Sequence, residues 1–235
     1  MPHLTEPTVS EPVSGPGVPE PALLAVRLDE LAAACSFLSR LFLAPVDEHV
    51  LAAVADPDLL ADWPLERDVE TRAGLSALGR AGAGPSPESL PELRRDHERL
   101  LVGPAHVVAC PYESVYLSEE HLIFERQTLE VRAFYARFGL EAPRLNSEPD
   151  DHIGLELDFV AHLCLRALDA LDTGDASEAA TLTAAVGDFL RGHLLLWVHD
   201  CLRRLEDGAQ TEFYRGVARL TRGTVQQLEA EFCGD

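Results

Sequence analysis

Residues 100–121 read LLVGPAHVVACPYESVYLSEEH, and the fold class turns on this stretch. Gly103, Pro104 and Pro111 interrupt any helix through its middle. The alternation in SVYLS, residues 114–118, is the nearest approach to a strand pattern, and it is too brief to make one. The stretch therefore reads as an apolar loop between helices. It presents Tyr112, Glu113, Ser114 and Tyr116 in a tight cluster, where most loops are simply polar.

Helical periodicity runs outward from the loop in both directions. Upstream, LLAVRLDELAAACSFLSRLFL places Leu24, Leu31, Cys35, Leu38 and Phe42 on one stripe and ends before Pro45. VDEHVLAAVADPDLLADW reads as two short helices parted at Pro57, and residues 66–80 as another. RAGAGPSPES is a hinge-like loop, after which Ser86 or Ser89 caps a helix running into Leu100. Downstream, a long helix is expected over 118–138, with Ser118 as N-cap, Glu119 and Glu120 in its first turn, and Gly139 ending it.

Ser147 and Asp150 fit a capping box for a helix over 149–173, with Pro149 in its first turn. Residues 176–206 carry Phe189, His193, Trp197, Cys201 and Leu205 at intervals of four and read as one helix. The last helix spans 209–232. The fold class is all-α, with roughly nine helices.

Composition narrows the function. The chain has 235 residues and is 46% apolar, enough for a sizeable core. Residues 1–21 carry Pro2, Pro7, Pro12, Pro16, Pro19 and Pro21 without apolar periodicity and read as a disordered tail, not a signal peptide. No window approaches a membrane span. The net charge of −21 opposes nucleic acid or anionic lipid as a main partner and suits a cationic one; it also keeps a protein soluble. All 19 basic residues are arginine, so a Walker A lysine and Schiff-base chemistry are excluded. The 5 cysteines, 35, 110, 164, 201 and 233, lack C-x-x-C spacing and read as free thiols of a reducing compartment.

Little catalytic chemistry is legible. None of the 9 histidines has Glu three residues before it, as a dimetal helical bundle requires. His162 with Cys164, and His199 with Cys201, stand two apart on a helix and point away from each other. No metal and no cofactor is expected. One polar cluster remains, in SEPDDHIGLELD. Asp150, Asp151 and His152 fall in a helix first turn, and His152 and Glu156 share a face. Simple capping is the plain reading of the acids. An acid/base pair of Asp151 and His152 would make a small enzyme, but neither nucleophile nor oxyanion hole accompanies it.

Taken together, RLDELAAACSFLSRLFLAPVDE, LLVGPAHVVACPYESVYL, EPDDHIGLELDFVAHL and HLLLWVHD resemble, in order, the TorD/DmsD family of redox-enzyme maturation proteins. The resemblance covers roughly residues 25–215 and implies two helical lobes joined by a hinge. The boundaries it implies are about 22–140, 141–152 and 153–235. It further implies a cytoplasmic chaperone that binds the N-terminal twin-arginine leader and apo form of a molybdopterin oxidoreductase catalytic subunit. Such a chaperone helps cofactor insertion and prevents premature export.

Carried over residue by residue, leader binding falls on Asp151 and His152. The loop element falls on Pro111, Tyr112, Glu113, Ser114 and Tyr116, and a further element on His193, Leu194, Leu195 and Trp197. Asp150 and Glu156 add carboxylates that pair with guanidinium. The first of the family's two loop prolines is Cys110 here, and Leu196 and His199 replace prolines near the tryptophan. The tail has no family counterpart. An assembly factor for a non-exported, nitrate-reductase-type enzyme is the nearest alternative, and a plain helical scaffold another. Structural roles compete throughout. Tyr112 and Tyr116 can staple the loop to the core, Trp197 can be core, and Glu113 can cap a helix.

Overall fold

The computed structural model describes residues 20–103, 107–143 and 149–234. Nearly all of the assigned tail, the residues to 19, lies outside them, as does Ser147. Glu20 and Pro21 already belong to the first helix, α1 (Glu20–Leu43).

Ten more α-helices follow among the described residues: α2 (Glu48–Ala55), α3 (Pro57–Ala61), α4 (Val69–Ala83), α5 (Leu90–His97), α6 (Glu113–Leu117), α7 (Arg126–Arg137), α8 (Ile153–Asp172), α9 (Ala176–Gly192), α10 (Val198–Gly208) and α11 (Glu212–Phe232). No strand occurs among these residues. The only pairing of that kind among the described residues is an isolated antiparallel bridge between Tyr112 and His152.

Short acidic side chains start four of these helices. Asp47, Asp56, Asp68 and Asp175 each accept a backbone N–H of the first turn, and Ser89 forms a capping box with Glu92. One start, that of α11, is capped from a distance by two carboxylates. Glu88 accepts the N–H groups of Glu212 and Phe213, while Asp96 accepts those of Gln210 and Thr211 and the Thr211 hydroxyl. Part of the acidity is thus spent on helix ends rather than on partners.

Helix α1 packs along α8, and α4 along α11. One continuous apolar cluster, from Leu28 to Leu228, takes residues from helices on both sides of segment 141–152. Small residues set the closest approaches. A Cβ on Gly74 would lie 2.7 Å from the Leu220 backbone nitrogen, and one on Gly216 would lie 3.0 Å from the Gly74 carbonyl.

Three expected elements are corrected. The helix expected over 118–138 begins only at Arg126, and Ser118 closes α6 instead of opening α7. Between them His121 and Phe124 adopt left-handed backbone, φ 54° and 62°, which no helix accommodates. The helix expected over 176–206 breaks at His193–Trp197, with a 3₁₀ turn at Leu194–Leu196. No proline causes the break; there His193 faces Glu113, and Leu194 and Trp197 enter the core. The helix expected from 149 begins at Ile153, so Pro149, Asp150 and Asp151 precede it.

Candidate functional site

Two chain segments meet at the start of α8. The Ile153 N–H donates to the Pro111 carbonyl at 2.8 Å, and the Glu113 N–H to the Asp151 carbonyl at 3.0 Å. This pairing fixes the opening loop against the acidic motif, so residues far apart in sequence form one junction.

Asp151 is fully buried and holds three segments together. Its Oδ2 accepts the Ser114 N–H at 2.8 Å and its Oδ1 the Thr128 hydroxyl at 2.7 Å. Asp150, equally buried, accepts Arg132 Nε and its terminal nitrogen at 3.0 and 2.6 Å. The Tyr135 hydroxyl donates to the Asp150 carbonyl at 3.2 Å. Both aspartates, expected in the first turn of α8 to complement its dipole, instead sit before the helix and bind α7.

His152 is the N-cap of α8. Its Nδ1 accepts the Gly154 N–H at 3.0 Å, which places the ring proton on Nε2. The Tyr112 ring meets it edge-on at 5.1 Å. Burial lowers the His152 pKa from its ordinary value to about 3, helped by the neighbouring His97. Asp151 and His152 do not face each other as an acid/base pair. One clamps a loop, and the other caps a helix.

Glu113 and Glu156 are buried as well. Both Glu113 oxygens stand 3.2 and 3.3 Å from His193 Nδ1, so Glu113 holds the break between α9 and α10 rather than capping a backbone. Trp197 Nε1 donates to Glu156 Oε2 at 3.4 Å. Burial, then the Glu113 and Asp151 carboxylates, raises the Glu156 pKa well above the carboxylate range. A neutral Glu156 sheds the desolvation cost of its charge, and the neighbouring Glu113 and Asp151 carboxylates favour that form. Burial also raises the Glu113 pKa, opposed by His193.

Tyr116 packs on Trp197, ring centroids 5.2 Å apart, beneath the Arg204 guanidinium. Trp197 is core, as its plain reading had it. The structure thus brings all the motif residues into one buried junction. Only Tyr112 and Tyr116 of the expected leader contacts are part-exposed. Asp150, Asp151, His152, Glu113, Ser114 and Glu156 are enclosed.

Three partners escaped the sequence reading: Thr128, Arg132 and Tyr135. They stand at i, i+4 and i+7 on α7, one helical face. That spacing is a legible signal, but nothing local says that two aspartates answer it. Among the described residues no group of three His, Cys, Asp or Glu side chains is placed to hold a metal. A cavity of about 800 Å³ beside Leu24, Arg27, Pro64 and Glu231 shares no residue with the junction.

The family model described as nitrate reductase delta subunit matches residues 66–203, more than half of the chain. The Tat proofreading chaperone DmsD of Salmonella typhi is 30% identical over 210 residues, 88% of this chain and 92% of that protein. The chain belongs to the TorD/DmsD family. Two further members are the probable Tat proofreading chaperone DmsD of Haemophilus influenzae and the chaperone protein TorD of a Shewanella species. The first is 28% identical over 77% of this chain and 79% of its own length, and the second 31% over 81% and 88%. These relatives are named as chaperones, not as enzymes. No helix among the described residues is long and apolar enough to cross a membrane.

Proposed function

We propose that this protein is a cytoplasmic chaperone for a molybdopterin oxidoreductase. It binds the twin-arginine leader of the apo catalytic subunit, assists insertion of the cofactor, and withholds the client from export until then. The observation that carries this reading is the 30% identity to a Tat proofreading chaperone over 88% of the chain. The charge of −21 supports it, since a cationic leader is drawn to such a surface, more so at low salt. In this reading Asp150, Asp151, His152, Glu113, Ser114 and Glu156 act on the leader from beneath, by holding the loop that carries Tyr112 and Tyr116.

The family model's description favours a second reading, an assembly factor for a non-exported enzyme of the nitrate-reductase type. One titration separates the two. A synthetic twin-arginine leader is added at two salt concentrations, beside a version with both arginines replaced by alanine. The export reading expects binding that weakens with salt and with loss of the arginines. Equal binding of both peptides supports the second reading. Binding of neither overturns leader recognition.

A further inference from the structure

The chain between α6 and α7 is an unusual surface. Leu122, Ile123 and Phe124 are consecutive, large and apolar, yet 52%, 45% and 49% exposed. Leu117 precedes them and Leu129 follows, both exposed. Single exposed apolar side chains are ordinary, but a run of this kind marks an interaction site. Its conformation is held. His121 and Phe124 sit in left-handed backbone, and His121 Nδ1 is bonded to the Val115 carbonyl at 2.8 Å. Asp151 clamps both ends, at Ser114 and at Thr128.

Within the strap the formal charge has one sign; Arg126 follows it, paired with Glu130, and the Arg204 guanidinium lies over Tyr116 before it. Glu119 and Glu120 are exposed within the strap, and neither Lys nor Arg occurs from 117 to 125. An acidic rim beside an apolar run complements a peptide that is cationic at one end and apolar along the rest. A second copy of this chain fits poorly, because a shared contact would set these glutamates against their own kind. An anionic membrane is repelled.

We infer that the strap from Leu117 to Phe124 is a docking surface for a cationic, apolar peptide. Its apolar stretch lies on Leu122, Ile123 and Phe124, and its arginines face Glu119 and Glu120. This deepens the chaperone reading and rests on it, since the twin-arginine leader has that chemistry.

The test uses the full chain, the twin-arginine peptide, and two variants. One is Leu122→Ser with Ile123→Ser and Phe124→Ser; the other is Glu119→Gln with Glu120→Gln. Calorimetric titration, thermal melting and sedimentation velocity are run on each. The apolar variant is expected to bind about tenfold more weakly with an unchanged melt, because the side chains it removes are half exposed. The glutamine variant is expected to lose part of the salt dependence.

Wild-type affinity in both variants would overturn the docking surface while leaving the chaperone reading intact. A wild-type protein that binds no leader would overturn both. A wild-type dimer that the apolar variant splits would make the strap a self-association face and overturn the proposal. Should the apolar variant melt early, the glutamine pair alone decides: an unchanged salt slope overturns the docking surface.

Discussion

The Thr128 hydroxyl donates to Asp151 at 2.7 Å across 23 residues of sequence, while the other oxygen of the same carboxylate takes the Ser114 N–H. One buried side chain therefore closes the base of the strap between α6 and α7. The aspartate that the family resemblance marks for leader binding has a structural task that is visible without any leader.

Replacing Asp151 tests that task. Asp151→Ala leaves two buried donors without an acceptor and should cost about 3 kcal/mol. Urea denaturation should show a lower midpoint with an unchanged slope. Asp151→Asn restores one acceptor and should recover part of the loss. A cost for alanine below about 1 kcal/mol would mean that solvent reaches both donors.

The pH dependence of stability should have two opposed limbs. His152 titrates near 6.5 when unfolded and about 3 when folded, so the unfolded chain binds a proton that the folded one refuses. Stability therefore falls as pH drops from about 6.5 toward 3. Burial lowers the His97 pKa as well and adds to this limb. Glu156 acts in the other direction. Its folded pKa lies well above the ordinary 4.5, so stability falls as pH rises above 4.5. Melting temperatures across pH should show His152→Asn flattening the acid limb in part, and Glu156→Gln flattening the other. A Glu156→Gln protein that melts earlier at high pH than the wild type would contradict a neutral Glu156.

The α4–α11 crossing depends on the absence of a side chain. Gly74→Ala places its Cβ against the backbone of Leu220, which cannot swing aside as a side-chain tip does. The loss should be about 1–3 kcal/mol, read as a lower urea midpoint. Gly139→Ala is the contrasting control for space alone. Nothing stands near its Cβ, and any loss there comes from its positive φ.

The elements that were legible in advance share a local cause. The stripe through Leu31, Cys35 and Leu38 predicts α1 because burial on one helical face repeats at helical spacing. Pro57 marks the joint between α2 and α3 because its fixed φ acts within a few residues, and the structure adds Asp56 as the cap there. The elements misread share a different cause. Residues 118–125 have helix-compatible composition, yet Ser114 and Thr128 are both tied to Asp151, and the chain between them leaves the helix. His193 to Trp197 keep spacing by four across a break, since His193 and Trp197 answer Glu113 and Glu156 from another part of the chain.

By itself the sequence determined the all-α class, the order of most helices, the free thiols, the acidic balance and the motifs that resemble TorD/DmsD. Each of these depends on residue type and on neighbours within a turn or two of helix. Only the tertiary structure decided which polar residues are buried, which carboxylate answers which donor, and where Leu122, Ile123 and Phe124 come to the surface. Those outcomes are set by contacts between segments far apart in the chain, and no local spacing encodes the partner.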